Sequence, residues 1–368
     1  MRILRWCAGK NVVIGGLLIS FAVSIAGCGG SGGIRGKSVT RLPRTRIGRY
    51  ASPSVGTVFE NPDNIGKHRY SGGSGGKKGI VYTCRAGHVD LAHARKSADW
   101  AAYLYRNFTD RMKRKVTEFS FKFREPARYY VELTYPANWD SLPQTQKDAV
   151  IKDVAATLAQ YGAYAGTMFH EMLTWFGFKS TGIWSEFPSA FAWEDTFSDL
   201  FGTHMAGKAF RDPKRGYDEA MTIALENELK MLGVQPKKVA VRASKSVHGQ
   251  WYSGDFMWIN MKARNFDTGF DDGSITPWLV PGLAECRGAK AQAYPAPKLD
   301  DIRKYGFEVK VEVETSVARS KIYGIIWPDK SQRQKRLVPD LHFAKIMDYI
   351  LKDAARRRIR TRPDFVSK

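Results

Sequence analysis

The chain has 368 residues, 43% of them hydrophobic, enough to fill one large core or two modest ones. Lysine and arginine number 58 against 36 acids, a formal charge of +22. The basic residues fall in short runs at 35–49, 111–115, 335–336 and 356–362, with no zinc finger or RNA-binding aromatic pair beside them, so composition speaks against nucleic acid and for an anionic lipid surface or cell-envelope polymer.

The first segment reads as a secretory signal over residues 1–27. Arg2, Arg5 and Lys10 precede an apolar run at 12–26, which stops at Ser24-Ile25-Ala26-Gly27-Cys28. The run is shorter than the ~20 residues that span a bilayer. The Ile-Ala-Gly-Cys ending resembles the lipobox of bacterial lipoproteins. That resemblance implies cleavage before Cys28, a lipid on Cys28 and attachment to the membrane through it. Residue 29 is Gly rather than Asp, so the expected location is the outer membrane, facing the periplasm. Two cysteines remain in the body, Cys84 and Cys286. An oxidising compartment allows them to pair, but spacing alone leaves a disulfide and two separate thiols equally open.

Residues 28–78 read as a Gly/Ser/Arg-rich tether, with Gly29-Gly30-Ser31-Gly32-Gly33 and Ser71-Gly72-Gly73-Ser74-Gly75-Gly76 as its loosest pieces and a short segment near Val58-Phe59 able to dock. A single α+β globular domain is expected over 79–368. A strand is expected at 80–83, then a helix over 89–113. Period-two alternation predicts paired strands at 118–123 and 129–135, with a turn at Arg124-Glu125-Pro126-Ala127 between them. An Ala-rich helix follows over 144–176. A helix over 189–210 with Ser189 as N-cap comes next, then one over 218–232 closed by Gly233. The second half predicts a strand at 255–262, a Gly/Asp/Pro-rich loop at 267–282, a one-sided strand at 307–315 partnered by 321–326, and a final helix at 341–360. The sum is a central helical block with short antiparallel strands after a disordered N-terminal tether.

Three segments concentrate metal-binding and acid–base residues. Asp90 and His93 are three apart, and so share a face of the first helix; their plain alternative is a helix-dipole charge and a packed histidine. His170-Glu171 begins like the His-Glu-x-x-His zinc motif, but Thr174 stands where the second His belongs. Glu194-Asp195 opens a later helix, with Asp199 one turn on. Charges on such apolar helices are costly to bury unless paired or metal-bound. The expected ligand set for a divalent metal, zinc or similar, is Asp90, His93, His170 and Glu194. Glu171 and Glu194 are the candidate catalytic carboxylates. The competing reading is a buried structural polar network. Asp267 to Gly273 resembles a calcium loop without its regular spacing, and reads as a tight loop of Asx turns. No Gly-rich phosphate loop and no Gly-x-Ser-x-Gly elbow occurs, so no nucleotide cofactor is expected.

Taken together, Gly87-His88-Val89-Asp90, His93-Ala94-Arg95, Ala98-Asp99-Trp100, His170 to Gly177, Glu186 to Phe191, Trp193 to Thr196 and Phe270 to Gly273 with Thr276-Pro277 resemble the bacterial lipoprotein family called domain of unknown function 4056. The resemblance runs from about residue 79 to 350. It implies a secreted, lipid-anchored domain and supplies no catalytic residues. Two functions stand: a periplasmic metal-dependent hydrolase of an envelope substrate, and a non-catalytic envelope lipoprotein that binds a partner or cell-wall polymer.

Overall fold

Asp90 starts the helix around which the molecule is arranged. It ends a short strand, and its Oδ1 accepts the Ala92 and His93 N–H groups at 2.6 and 3.4 Å, which caps the first turn. Losing such a cap costs about 0.5–2 kcal/mol. The structure, a computed structural model, describes residues 41–51, 56–71, 76–179, 182–254 and 258–363. Residues 1–27, expected to form a signal segment, and Cys28 lie outside these residues. Among them, no helix is long and apolar enough to cross a membrane.

In chain order the elements are β1 (Ile80–Thr83), β2 (Gly87–Asp90), α1 (Leu91–Lys113), β3 (Glu118–Lys122), β4 (Ala127–Thr134), α2 (Gln144–Trp175), α3 (Asp195–Arg211), α4 (Tyr217–Met231), β5 (Val234–Gln235), α5 (Lys237–Val247), β6 (Tyr252–Ser253), β7 (Asn260–Met261), β8 (Ser274–Ile275), β9 (Tyr294–Pro295), α6 (Asp300–Arg303), β10 (Glu308–Thr315), α7 (Arg319–Ile326) and α8 (Pro339–Arg356). The class is α+β. Helices α1, α2 and α3 pack on one another as the core. A three-stranded antiparallel sheet, ordered β10-β4-β3, covers one side of it. Alternation sets that sheet's faces: Ala127, Tyr129, Val131 and Leu133 of β4 are buried and their neighbours are not. A second sheet, ordered β2-β1-β5, holds the start of α1.

The contact between α1 and α3 fixes the register of the core. His93 meets Asp195, Lys96 meets Asp199, and Tyr105 stacks on Phe210, so the two helices run the same way. Between these pairs sits Gly202. A Cβ there would stand 2.0 Å from the Ala94 carbonyl oxygen and 2.2 Å from Ser97 Oγ.

Several expectations are revised. The strand at 308–315 pairs with β4, in register Val311 to Val131, and not with 321–326. Residues 319–326 are helical, because Ile322, Tyr323 and Ile326 bury at helical spacing. Ser189 is not the N-cap of α3. It ends a single 3-10 turn, Phe187–Ser189, and the helix starts only at Asp195, after Phe191 takes a left-handed φ of 55°. The strand expected at 255–262 is reduced to β7, with 255–257 outside the described residues. Helix α5, rich in lysine, was not anticipated.

The stretch read as a tether is docked where it is described. Arg46 is buried against Asp99 at 2.6 Å, His68 Nε2 lies 3.0 Å from the same carboxylate, and Tyr50 donates to Ser244 Oγ. Arg95 donates to the carbonyls of Ile65, Gly66 and Lys77. Phe59 forms a bridge with Ile80. The body therefore starts well before residue 79, and all described residues belong to one compact unit. Cys84 and Cys286, left open above, form a disulfide across 202 residues.

Gly202 generates a prediction of definite sign. Alanine is a better helix former than glycine by about 1 kcal/mol, so a solvent-facing Gly202→Ala would stabilise. The packed position predicts the opposite, a net loss of about 1–3 kcal/mol from overpacking. Urea denaturation of the two proteins decides it, and an unchanged or raised midpoint would overturn the packing account.

Candidate functional site

The three core helices meet over a cluster of buried ionisable groups. Asp90 and Asp195 stand at the N-terminal ends of α1 and α3; His93 and Lys96 lie on α1, Asp199 on α3, and His170 and Glu171 near the end of α2. Glu125 enters from the turn between β3 and β4, and Arg264 from the segment after β7. With buried Glu194, the residue that precedes α3, six carboxylates thus face two imidazoles, one ammonium and one guanidinium.

Two imidazoles are each backed by a carboxylate. His93 Nδ1 lies 2.8 Å from Asp195 Oδ1, and His170 Nδ1 lies 3.0 Å from Glu125 Oε1. Their side chains are 12% and 18% exposed. Burial and Lys96 oppose charge on His93, but Asp195 and Asp199 prevail and raise its pKa to about 9. Burial likewise opposes charge on His170, yet Glu125 and Glu171 raise it to about 9. Neither Nδ1 meets hydrogen-bond geometry, so each contact is an ion pair that favours the protonated ring and holds it by charge. Lys96 Nζ lies 3.5 Å from Asp199 Oδ2, and its neighbours Asp199, Glu171 and Glu125 raise its pKa against burial.

The link into α3 is held under constraint. Glu171 Oε2 accepts the N–H of Phe191 at 2.7 Å, the residue in the left-handed conformation. Arg264 donates to the carbonyls of Phe187 and Ala190 at 2.7 and 2.6 Å. These bonds fix the bend that delivers Glu194. That side chain is 1% exposed, and neither of its oxygens has a hydrogen-bond partner. Burial, then Asp195, Asp90 and Glu171, push it well above the usual carboxylate range. Burial and Asp195 also raise Glu171, to about 7, against the pull of His170, the Phe191 N–H and Lys96. An unpartnered buried carboxylate costs several kcal/mol unless it takes up a proton or a cation.

The sequence-expected ligands fall into two groups. His93, His170, Glu171 and Glu194 do share this cluster. Asp90 is largely committed elsewhere: besides capping α1, its Oδ2 accepts the Arg49 N–H at 2.7 Å. Asp90, His93, His170 and Glu194 are not drawn tightly together. Among the described residues, Asp267, Asp271 and Asp272 form the one group of three or more His, Cys, Asp or Glu whose ligand atoms lie within 4.8 Å of one another. In that loop Asp267 accepts from Gly269 and Asp272 from Ser274, as Asx turns do, and Asp267 also accepts from Thr276 across the loop. Lys96, Glu125 and Arg264 escaped sequence reading. Lys96 stands one turn from His93 and was legible in principle; nothing local marks Glu125, which arrives from a hairpin turn.

The N-terminal segment crosses the cluster. A Cβ on Gly48 would stand 2.4 Å from His93 Nε2, so a larger residue there would displace the His93 ring. Two surface cavities, of about 500 and 330 Å³, lie elsewhere, beside Cys84–Cys286 and between α2, α3 and residues 295–298.

The shifts carry a sign for stability. Each of these groups holds its proton more tightly when folded, so its contribution is complete below its unfolded pKa and is lost as pH rises through the folded one. For Glu171 that window runs from 4.5 to about 7, and for the histidines from 6.5 to about 9. Denaturation midpoints should therefore fall on the alkaline side, and His93→Gln with His170→Gln should flatten the limb above neutrality. A wild-type profile level across that limb would contradict the assignment.

Searches of curated proteins and of solved structures return no match. A family model described as "Protein of unknown function (DUF4056)" matches residues 54–260, more than half of the chain, where the sequence resemblance had been placed at about 79–350. The matched span holds every member of the cluster except Arg264, and it includes much of the docked N-terminal stretch. By that match, this chain belongs to the DUF4056 family of proteins of unknown function.

Proposed function

We propose that this chain is an envelope lipoprotein, anchored through Cys28 and facing the periplasm, whose α1/α2/α3 cluster is the centre of a metal-dependent hydrolase. The carrying observation is Glu194: fully buried, unpartnered at both oxygens, and set among Asp90, Asp195 and Glu171. The donor types suit zinc or a similar divalent ion. The spacing is wider than a closed coordination sphere, so binding would have to draw Glu194 toward His93 and His170. Asp90, as the cap of α1, is the weakest of the expected ligands.

His93, His170 and Glu194 would hold the ion, and a divalent ion bound there would lower the pKa of a water toward neutrality. Glu171, at about 7, has the proton affinity of a general base near physiological pH. Asp195 and Glu125 hold the imidazoles by charge. Lys96 balances the negative charge of the cluster. The disulfide between Cys84 and Cys286 suits an oxidising compartment, which supports the periplasmic reading. The alternative, a non-catalytic lipoprotein binding a partner or wall polymer, draws its support from the segment lying over His93 and from the surface charge.

Elemental analysis of the purified chain, with zinc titration of wild type and Glu194→Gln, separates these readings. The hydrolase reading expects stoichiometric metal in the wild type and at least tenfold weaker binding in the variant. If the carboxyl is merely buried and protonated, the near-isosteric Gln leaves stability level or higher and no stoichiometric metal is found in either protein. That second result would sink the metal centre.

A further inference from the structure

The strongest unassigned feature of the surface is the place where an exposed aromatic pair meets the C-terminal basic run. Trp184 and Trp258 are 49% and 48% exposed, and their rings meet edge to face at 5.3 Å. Ile183 beside them is 69% exposed. Large apolar side chains in such positions are normally buried, and a contiguous exposed group marks an interaction site.

The basic run is folded against the same part of the molecule. Arg360 donates its N–H to the Lys262 carbonyl at 3.0 Å, and its own carbonyl accepts from Arg264 N at 2.9 Å. This ties residues 359–361 alongside β7, which begins two residues after Trp258. Arg357 lies over the ring of Phe187 at 4.9 Å, three residues from Trp184. Arg356, Arg357, Arg358, Arg360 and Arg362 are all exposed, as is Lys262. The one acid from 352 to 362, Asp353, is already occupied by Arg356, Arg357 and the indole N–H of Trp175.

We infer that this face docks on an anionic phospholipid surface, with Ile183, Trp184 and Trp258 entering the interfacial layer and the arginines lying against the headgroups. Indole rings favour the headgroup level of a bilayer, because they are apolar with a polar N–H. Each basic residue near an anionic leaflet strengthens binding about fivefold. The aromatic residues protrude, which suits a fluid interface better than a ligand needing an enclosing cleft. The inference does not rest on the hydrolase reading.

The test reconstitutes the full chain in phosphatidylcholine vesicles, with or without phosphatidylglycerol, using bromine-labelled acyl chains that quench nearby tryptophan. Any quenching of Trp6 is common to all samples and cancels in the comparison. Wild type should show additional quenching in the phosphatidylglycerol vesicles, reversed by high salt. Trp184→Ser/Trp258→Ser should lose that additional quenching. Arg358→Glu/Arg360→Glu, which leaves the aromatic pair in place, should weaken its lipid dependence more than tenfold. Equal quenching in both vesicle types, or equal quenching in wild type and the tryptophan variant, would overturn the assignment. So would an emission change with soluble peptidoglycan strands and none with vesicles, which would point to a wall polymer.

Discussion

The close approach of α1 and α3 at Gly202 is the constraint on which the rest depends. With the helix backbones separated by little more than one carbonyl group, residues on facing turns are brought into pairs that advance in step: 93 with 195, 96 with 199, 97 with 202. A wider crossing would leave His93 and Lys96 short of their carboxylates. The same helix faces both ways. One face of α1 carries His93 and Lys96 into the cluster; another carries Arg95 and Asp99, which grip the N-terminal segment. Core packing, site and covering segment are therefore tied to one element, and a change in the tilt of α1 would be felt in all three.

The cluster is not a set of neutralised salt bridges. Carboxylates outnumber cationic groups, and the excess collects around Glu194, where four acids approach one another in a medium that penalises each charge. A structural network tends to evolve toward full pairing, because half-satisfied buried groups are worse than apolar ones. The unpaired Glu194 carboxyl is held there by a backbone bend that Glu171 and Arg264 maintain. The left-handed Phe191 belongs to the same pattern: local strain sustained by specific bonds beside the buried carboxylates.

Much of this fold was legible from periodicity. The long helix at 144–176 ends within one residue of its expected limit, and the period-two pattern at 129–135 marked the central strand of the sheet. Pairing was less legible. Residues 321–326 are apolar enough to read as a strand beside 308–315, and only the tertiary context, with β4 already occupying that edge, makes them a helix. The docked N-terminal stretch was hidden for a related reason. Gly, Ser and Arg look like linker composition, and the burial of Arg46 and His68 is supported by Asp99, far along the chain. Of the cluster, the motif-bearing segments at 90–93, 170–171 and 194–195 announced themselves; Glu125 could not, since a hairpin turn gives no sign of where its tip will land.

The buried Arg46–Asp99 pair also sets a length. A leash running from Cys28 to the start of a body at residue 79 would have a contour of about 180 Å at ~3.5 Å per residue. Docking begins by Arg41, whose carbonyl accepts from the Tyr70 hydroxyl, and Arg46 clamps it, so the contour from Cys28 to the docked chain is at most about 45 Å. With lipid on Cys28, as proposed, the body is confined to a thin zone beside the bilayer, and any pull on the anchor is delivered straight to α1 through Asp99.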